Sequence, residues 1–364
     1  MDIKIITCHK VYNYGASLQE FALLRYLEGL NHSVQIIQYR PKYLSGHFDL
    51  KKVSNPKYDK HFIRLIYLLI KLPGRLINLR RKKVFDTFNK QYLKVSDYEY
   101  HSNNELKNNI PKSDAYIAGS DQIWNSLFEN GRDPAFYLDF VPDKGLKISY
   151  AASFAISELK NEFKEFVREK VKRINFISVR EITGVKILND LGIDGVHLVL
   201  DPVFLLSRKF WVEKFVTKVK GNYIFVYDFD SNKELEKLAK KMAFQNGLRI
   251  YTVNQNIKYA DKNFYLKDPK YFLSLIYNAE FVLTNSFHST AFSIIFEKQF
   301  LVFNREEEIN SRMKDLLELF ELSNLSVYNC ESSTIEKIDY LNVNKIMNTY
   351  ITKSKLFLEE SLRR

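Results

Sequence analysis

A short apolar strand, a polar turn and a second apolar run carry the residue best suited to acid–base chemistry. Residues 281–284 read as a strand, and the asparagine and serine that follow are residue types that cap helices. The next helix places His288 in or just before its first turn. Because a helix N-terminus offers free N–H groups and the positive end of the helix dipole, we predict an anion site that contains a proton donor. The candidate residues are Asn285, Ser286, Phe287, His288 and Ser289.

An arginine closes a strand in the first half of the chain. Arg180 follows the strand-like residues 175–179, so we expect its side chain to face the same cleft as His288 from the opposite side. A guanidinium group binds carboxylates and phosphates through paired hydrogen bonds. A simple ion pair with the adjacent Glu181 is the alternative interpretation.

Two more polar turns follow strands of the first half. Residues 13–15 form a tight turn that leads into a helix N-terminus, which suits an anion or a sugar. Residues 119–125 crowd polar side chains around a tryptophan, which suits a sugar ring; a structural loop with the tryptophan buried is the alternative. The candidate sugar-binding residues are Asn13, Tyr14, Gly15, Ser120, Asp121, Gln122 and Trp124.

Common catalytic and metal-binding signatures are missing from the sequence. It has no Gly-x-Gly-x-x-Gly, Walker, Gly-x-Ser-x-Gly or His-Glu-x-x-His motif, and its seven histidines do not cluster at metal-ligand spacing. Asp228 and Asp230 follow an apolar strand and could hold a divalent metal on a sugar-nucleotide diphosphate. Capping of the next helix explains both carboxylates more simply, so we predict no metal site.

Strand-like and helix-like segments alternate along most of the chain. In the first part, six strands are predicted at 3–7, 34–38, 115–118, 147–151, 175–179 and 197–200. After Asp201-Pro202 the alternation restarts, with strands at 223–227, 249–253, 281–284 and 300–303. We therefore predict an α/β protein of two Rossmann-like domains, residues 1–204 and 205–364, that face each other across a cleft. We expect the last helix to pack back on the first domain.

The net charge of +12 is concentrated in one segment. Residues 57–90 hold ten basic and two acidic residues, within a predicted helical insertion over residues 41–112. Apolar residues at helical spacing on both sides of Pro73-Gly74 predict a hairpin of two amphipathic helices. Such an appendage suits an anionic membrane surface, and a solvated insertion or an oligomer contact is the alternative. Because the charge is local, nucleic-acid binding by the whole protein is disfavoured.

The cysteines and the N-terminus indicate a reducing compartment. Cys8 and Cys330 are the only cysteines and lie far apart, so we expect neither a disulfide framework nor a Cys-x-x-Cys site. The first eight residues read as a strand rather than a signal peptide. The longest strongly apolar run, 65–70, is far shorter than the ~20 residues that span a bilayer. We predict a cytoplasmic protein with access to the inner face of the membrane.

Taken in order, these motifs resemble those of the polysaccharide pyruvyl transferase family. The matching stretches are 13–19, 119–125, 148–154, 178–181, 201–204, 284–288 and 310–312. The resemblance implies a GT-B-like fold and transfer of pyruvate from phosphoenolpyruvate to two sugar hydroxyls as a cyclic ketal, with release of phosphate. It implies a sugar of a bacterial surface-polysaccharide repeat unit, often lipid-linked, as the acceptor. No metal or organic cofactor is implied.

The resemblance also suggests roles for individual residues. It makes His288 the general acid and Arg180 a ligand of the phosphoenolpyruvate anion. This agrees with the residues themselves, because a protonated imidazole beside bound anions can deliver a proton to the methylene carbon. A nucleotide-sugar glycosyltransferase is the alternative function, prompted by the same fold and by the Asp-x-Asp at 228–230.

The chain departs from the family pattern at three positions. Ser286 stands where an arginine is common, which leaves Arg305 or Arg312 to bind the donor instead. Ala155 and Ser289 stand where glycines are usual. These two replacements restrict the backbone and could alter the choice of acceptor.

Overall fold

The computed structural model describes residues 1–45, 53, 61–305, 310–327 and 337–363, and its elements alternate between strand and helix. The strands are β1 Asp2–Ile6, β2 Ser33–Tyr39, β3 Val95–Tyr100, β4 Ala115–Ala118, β5 Leu146–Ala152, β6 Phe176–Val179, β7 Val196–Leu198, β8 Tyr223–Tyr227, β9 Arg249–Thr252, β10 Lys262–Asn263, β11 Phe281–Thr284, β12 Phe300–Phe303 and β13 Ser326–Val327. The helices are α1 Tyr14–Gly29, α2 Lys42–Ser45, α3 His61–Tyr92, α4 Asn103–Asn108, α5 Asn161–Val171, α6 Ile182–Asp190, α7 Arg208–Phe215, α8 Lys233–Asn246, α9 Pro269–Asn278, α10 Phe287–Ile295, α11 Ser311–Leu319 and α12 Tyr340–Ser361.

The strands form two sheets that share one connectivity. The first sheet has the order β3-β2-β1-β4-β5-β6-β7 and the second has the order β10-β9-β8-β11-β12-β13. Each described strand pairing is parallel. The strand order reverses between β1 and β4 in one sheet and between β8 and β11 in the other. Ligands of such sheets bind beyond the carboxyl ends of the strands at these reversals, so the turns after these four strands are the expected site. The predicted α/β class with two parallel sheets is confirmed.

Three strands escape the sequence analysis, and all three lie at sheet edges. The six residues of β3 are half polar, and β10 and β13 contain two residues each. An edge strand has one side open to water and needs fewer apolar residues, which weakens its sequence pattern. Because β3 and α4 lie inside residues 41–112, the predicted insertion is partly sheet structure rather than a helical appendage. Residues 46–52 and 54–60 of that insertion, and Cys330, lie outside the described residues.

The predicted helical hairpin is wrong, because α3 continues through Pro73 as one helix of 32 residues. A proline inside a helix removes one hydrogen bond and bends the helix without having to end it. The C-terminal half of α3 packs against α1 and α7, where the buried rings of Phe85 and Phe88 contact Tyr14, Phe21 and Phe215. Residues 57–60 of the basic segment lie outside the described residues.

A single apolar core joins the two sheets, with buried residues of β1, α1, β8, α9 and α10 in one cluster. Tyr14 begins α1 and is fully buried against α9, where its ring stacks on Phe272 with centroids 4.7 Å apart. Its hydroxyl donates to the carbonyl of Lys267 at 3.1 Å. Apolar packing therefore holds the two halves together at the point where their strand ends face each other.

The last helix, α12, crosses back to the first sheet. The Phe357 ring lies 5.0 Å from the imidazole of His197 in β7, between ring centroids. The Ser354 hydroxyl accepts a hydrogen bond from the Leu200 N–H at 2.8 Å. The chain thus closes on the domain in which it began.

Candidate active site

The turn between β11 and α10 forms one wall of the site. Ser286 is the N-cap of α10, and its Oγ accepts from the Ser289 N–H at 3.5 Å. His288 follows in the first turn and is 6% exposed. The amide of Asn285 is used within the protein: it donates to Asp228 Oδ1 at 2.6 Å and accepts from the Phe229 N–H at 3.0 Å. Asn285 therefore joins β11 to the end of β8 and positions the turn, and its predicted contact with a donor substrate is not supported.

The N-terminus of α1 closes on His288 from the first sheet. Asn13 caps α1 by accepting from the Gly15 and Ala16 N–H groups at 2.9 and 3.3 Å. A Cβ atom at Gly15 would lie 2.0 Å from His288 Nδ1, so only glycine permits this approach. The two halves of the protein thus meet at the imidazole.

Asp201 lies beside the other ring nitrogen of His288. Its Oδ2 is 3.5 Å from His288 Nε2 and accepts from Arg180 Nη1 at 2.6 Å and Ser120 Oγ at 3.1 Å. Its Oδ1 accepts from the Val203 N–H at 3.1 Å. Burial acts to raise the pKa of Asp201, but the charges of His288 and Arg180 outweigh it and hold the pKa well below its ordinary value. The buried carboxylate therefore stays ionised as a counter-charge to both cations.

Arg180 and Arg312 lie over the same aromatic ring. Their guanidinium carbons are 4.2 and 5.7 Å from the centroid of Phe287. Asp121 Oδ1 is 3.6 Å from Arg312 and 4.0 Å from Arg180, and the Gln122 side-chain amide lies 3.0 Å from both terminal nitrogens of Arg312. Burial, followed by the positive charge of Arg180, lowers the pKa of Arg312 to about 10. An anion placed between the two guanidinium groups would relieve this repulsion.

Several buried polar atoms of this cluster make no hydrogen bond to the described residues. They are Nε and Nη2 of Arg180, Nε2 of His288, Oγ of Ser289 and Oε2 of Glu181. Arg180 Nε and Glu181 Oε2 lie 3.8 Å apart, so the predicted alternative, an ion pair with Glu181, is present beside the pair with Asp201. Leaving such a group unpaired costs about 1–3 kcal/mol, so unpaired groups in a folded protein call for an explanation. Guanidinium and imidazole N–H groups beside a helix N-terminus are suited to a carboxylate or a phosphate.

A cavity of about 580 Å³ adjoins the N-terminus of α1. Residues from both sheets and from α3 line it, and they combine aromatic rings, side-chain amides and two cations. Pockets of this composition bind organic ligands through apolar surface and a few placed polar groups. The lining includes Tyr12, Asn13, Asn78, Arg81, Tyr227, Phe229, Asn254, Gln255, Asn256, Lys258 and Tyr265.

The predicted sugar-binding residues separate into several positions. Asn13 lines the cavity, whereas Gly15 and Ser120 pack on His288 and Asp201. Asp121 and Gln122 lie beside Arg312. The remaining two, Tyr14 and Trp124, lie in the protein interior.

Tyr14 and Trp124 are fully buried, so the prediction that they contact a sugar is wrong. The Trp124 indole stacks on Tyr137 with centroids 5.3 Å apart, and its Nε1 donates to the Phe136 carbonyl at 3.1 Å. The alternative interpretation, a structural loop around a buried tryptophan, holds for residues 119–125. A single sequence does not show whether a tryptophan in a polar loop points inwards.

The two arginines proposed to replace the missing family arginine occupy different places. Arg312 shares the Phe287 ring with Arg180, whereas Arg305 lies 5.0 Å over Phe229 and 3.3 Å from Asp230. The structure therefore brings Arg312, and not Arg305, onto the ring that carries Arg180.

The two positions at which this chain lacks a glycine usual in the family, Ala155 and Ser289, have clear local consequences. Ala155 adopts a φ of +56°, in the left-handed region that favours glycine, and its N–H donates to Glu181 Oε1 at 3.0 Å. Ser289 is fully buried and adds a hydroxyl next to His288. The backbone thus keeps a glycine-like conformation at Ala155 without a glycine.

The two carboxylates of the Asp-x-Asp motif have different partners, since Asp228 accepts within its own turn and Asp230 lies 3.3 Å from Arg305 Nη2. Asp228 accepts from the N–H groups of Asp230 and Asn232 at 3.0 and 2.7 Å, and Asn232 in turn caps α8. Within the described residues, no group of three or more His, Cys, Asp or Glu side chains is arranged to hold a metal ion. The predicted capping of α8 by both aspartates is wrong, because Asn232 is the N-cap and Asp230 pairs with Arg305.

Sequence reasoning did not single out Asp201 or Arg81. Asp201 ends an alternating block and begins the family-like stretch 201–204, but the sequence analysis gives it no role, although an aspartate at the end of a parallel strand is a recognisable site position. Arg81 stood among four consecutive basic residues, where nothing in the sequence separates a buried cation from its exposed neighbours. It lines the cavity and donates to the Tyr14 hydroxyl at 2.9 Å.

Two facing parallel sheets with a site between their reversal points define an α/β protein of the GT-B fold. Solved structures agree with this class. A candidate UDP-N-acetylglucosamine 2-epimerase from Listeria monocytogenes superimposes with a TM-score of 0.54 at 9% identity, covering 98% of this chain and 90% of that one. The S. aureus MnaA–UDP structure gives 0.53 at 12% identity, with 99% and 90% covered. Arabidopsis thaliana UGT89C1 with UDP-L-rhamnose gives 0.50 at 10% identity, with 99% and 97% covered. At these identities the likeness concerns the fold alone.

The sequence itself is more specific than the fold. The family model for polysaccharide pyruvyl transferase matches residues 13–307, so the chain belongs to this family of transferases. None of the curated proteins matches the chain by sequence. The matched range includes His288, Arg180 and the N-terminus of α1, whereas Arg312 lies just beyond it.

Proposed function

We propose that the protein transfers pyruvate from phosphoenolpyruvate to two hydroxyls of one sugar in a bacterial surface-polysaccharide repeat unit. The product is a cyclic ketal, and phosphate is released. The observation that supports this proposal is the convergence of His288, Arg180 and Arg312 at the N-terminus of α10, in a member of the polysaccharide pyruvyl transferase family.

Phosphoenolpyruvate, the donor substrate, is a small molecule with a carboxylate and a phosphate. Its binding needs several positively charged groups whose N–H bonds point at these two anions. Arg180 offers Nε and Nη2, which are buried and make no hydrogen bond to the described residues. Arg312 offers a second guanidinium group on the same face of the site. The N-terminus of α10 adds backbone N–H groups and the positive end of its dipole. Together they account for both anionic groups of phosphoenolpyruvate.

The proposed reaction uses His288 as the general acid. The imidazolium protonates the methylene carbon of phosphoenolpyruvate, and a sugar oxygen attacks the adjacent C2 and gives its proton to the imidazole, which restores the imidazolium. Cleavage of the bond between C2 and the phosphate oxygen releases phosphate, and a second sugar hydroxyl attacks C2. The proton of that hydroxyl leaves with phosphate, so the ketal gains one methyl hydrogen and the protons balance. Asp201 supplies the counter-charge that holds His288 and Arg180 in place.

The acceptor fits the cavity beside this cluster. Asn13 lines the cavity and also caps the helix that carries Gly15 against His288, so this helix N-terminus connects the cavity wall with the proposed acid, which does not itself line the cavity. Rings and amides of the cavity wall suit a sugar, and Lys258 suits a phosphate of a lipid-linked one. We place the reaction in the cytoplasm at the inner face of the membrane, because two distant cysteines indicate a reducing compartment.

The test is incubation of the protein with phosphoenolpyruvate and synthetic galactosides or N-acetylhexosamines, some of them lipid-linked. Mass spectrometry should detect pyruvyl addition to the sugar, together with stoichiometric phosphate release. His288→Gln should lower the rate by about 10²–10⁴-fold, because it removes the general acid. His101→Gln is the matched control, since His101 is exposed. Full activity of His288→Gln would disprove the role of His288.

The glycosyltransferase alternative has no specific observation in its favour. Asp228 is engaged in hydrogen bonds within its own turn, and the UDP complexes among the fold neighbours are too distant to transfer a substrate. Tight binding of UDP without any binding of phosphoenolpyruvate would reverse this preference.

A further inference from the structure

The first half of α3 exposes apolar side chains that folded proteins usually bury. Phe62 and Ile70 are 76% and 71% exposed, and Leu65 and Leu69 are both more than half exposed. From Arg81 onwards, by contrast, the helix packs into the core. Residues 62–76 therefore project from the body of the protein. A contiguous exposed apolar patch of this kind marks an interaction surface.

The projecting part of α3 is strongly amphipathic. At about 100° per residue, its apolar side chains occupy one half of the helix circumference, and its three cations lie together on the opposite side. The exposed apolar residues are Phe62, Ile63, Leu65, Ile66, Leu69, Ile70, Leu72 and Leu76. The three cations are Arg64, Lys71 and Arg75. A helix with this arrangement lies in the plane of a membrane interface, with its apolar side in the lipid and its cations towards water and headgroups.

The outward side of α3 changes from apolar to cationic along its length. Arg80 and Lys83 continue the line of Leu65, Leu69 and Leu76 around the helix, and both are exposed. Lys82 pairs with Asp86 at 2.7 Å and Arg81 is buried, so only two of the four consecutive cations point outwards. One continuous surface thus presents leucines and then cations.

We propose that this outward surface of α3, residues 62–83, docks the protein on an anionic lipid bilayer. The charge pattern selects this partner, because the cations beside the apolar stripe match the negative surface of anionic lipid. Among the described residues, no helix is long and apolar enough to cross a bilayer, so the contact is peripheral. The alternative partner is a second copy of this chain. A dimer formed through the same surface of α3 would bring the cations of the two copies together, and they would repel each other.

Docking through α3 would also orient the cavity. Asn78 and Arg81, which follow the apolar stripe on the same helix, line the cavity beside the proposed acid. The cavity would therefore lie near the bilayer surface at which lipid-linked sugars are held, although Asn78 and Arg81 stand on the side of α3 that faces the protein. This consequence concerns the acceptor, whereas docking itself does not depend on the proposed reaction.

The experiment is flotation of the full chain with vesicles of phosphatidylcholine, with or without phosphatidylglycerol. We expect the protein to float with the mixed vesicles only. Combined Leu65→Gln, Leu69→Gln and Leu76→Gln should abolish flotation. Arg80→Gln with Lys83→Gln should weaken partitioning about fivefold for each cation removed. Circular dichroism and thermal melts verify that each variant is folded.

Matched controls lie elsewhere on the surface. Leu341→Gln removes an apolar side chain that is 86% exposed, and Lys218→Gln with Lys220→Gln removes two exposed cations outside α3. All these controls should float like the wild type. Equal flotation of the leucine variant, or equal loss in the controls, would overturn the proposal. So would a dimer that the leucine substitutions dissociate, with no vesicle binding by the wild type, because a second copy would then occupy the surface.

Discussion

The contact between Gly15 and His288 is the most sensitive point of the proposed site. It places the N-terminus of α1 directly against the imidazole, and a methyl group at position 15 would lie 2.0 Å from Nδ1. We therefore expect Gly15→Ala to displace His288 and to lower pyruvyl transfer by about 10²-fold, as small misplacements of catalytic groups do. Rates measured with phosphoenolpyruvate and an acceptor sugar test this expectation.

Gly29, in the last turn of the same helix, provides the control for this substitution. Nothing lies within 4 Å of a Cβ atom built there. Gly29→Ala should keep full activity and leave stability unchanged or raise it slightly, because alanine favours helix more than glycine does. If both alanine variants retained wild-type rates, the close approach to His288 would have no functional weight.

Asp201 should make the stability of the protein depend on pH in acid. Burial alone would raise its pKa, but His288 and Arg180 lower the pKa below the ordinary value of 3.8. A carboxyl with a lowered pKa stabilises the fold fully above its unfolded-state pKa, and this contribution is lost as the pH falls towards the folded-state pKa. Asp201→Asn should cost about 3–5 kcal/mol at neutral pH, because it leaves buried cations unpaired. It should also flatten the decline in stability below about pH 4.

Urea denaturation between pH 3 and pH 7 measures both effects. Asp194→Asn, a substitution of an exposed aspartate, is the control and should behave like the wild type. Parallel pH profiles of the wild type and Asp201→Asn would contradict the assigned charge of Asp201.

At the scale of elements, α3 depends on one buried cation. Arg81 donates to the Tyr14 hydroxyl at 2.9 Å and to the Tyr265 carbonyl at 2.5 Å. Its guanidinium carbon also lies 4.4–4.7 Å from the ring centroids of Tyr14, Tyr265 and Phe85. A lysine keeps the charge but cannot make these forked and stacked contacts. We expect Arg81→Lys to destabilise the protein by about 1–3 kcal/mol.

The neighbouring Arg80→Lys is the matched control, because Arg80 is exposed. It should leave the free energy of unfolding unchanged. Limited proteolysis adds a local measurement, since loss of the Arg81 contacts should speed cleavage within α3. Equal stability of the two lysine variants would show that Arg81 does not anchor the helix.

The elements that could be predicted from the sequence are those in which the spacing of apolar residues corresponds to the buried side of the helix or strand. The β11–α10 unit was predicted because an apolar strand, two capping residue types and an apolar helix follow one another. The hairpin was wrong because a proline was given more weight than the helical spacing on both of its sides. The contacts of Asp201 and the inward position of Trp124 depend on residues distant in sequence, which local patterns do not encode. Some of the site residues could therefore be predicted from the sequence, but the distances and contacts between them could not.

At the scale of the molecule, the site exists because two sheets of the same connectivity face each other through their reversal points. The first sheet supplies Arg180, Asp201 and Gly15, and the second supplies His288. Neither half is a complete site, so the relative position of the sheets must be fixed. The shared apolar core and the return of α12 provide that constraint.

This arrangement predicts that both halves unfold together. The chain has two tryptophans, Trp124 beside the first sheet and Trp211 in the core shared with the second, so Trp124→Phe and Trp211→Phe each leave one fluorescent reporter.

In each background, Phe357→Ala in α12 should lower the free energy of unfolding by about 3–5 kcal/mol, because it empties a buried contact with β7. Leu356→Ala, at a half-exposed neighbour, should have little effect. Urea titrations should show equal shifts for both reporters, since the first sheet contributes residues both to the shared core and to the separate cluster around Trp124 and so couples the two. A shift confined to the Trp124 reporter would mean that the halves unfold separately and that the alignment of His288 with Arg180 does not depend on α12.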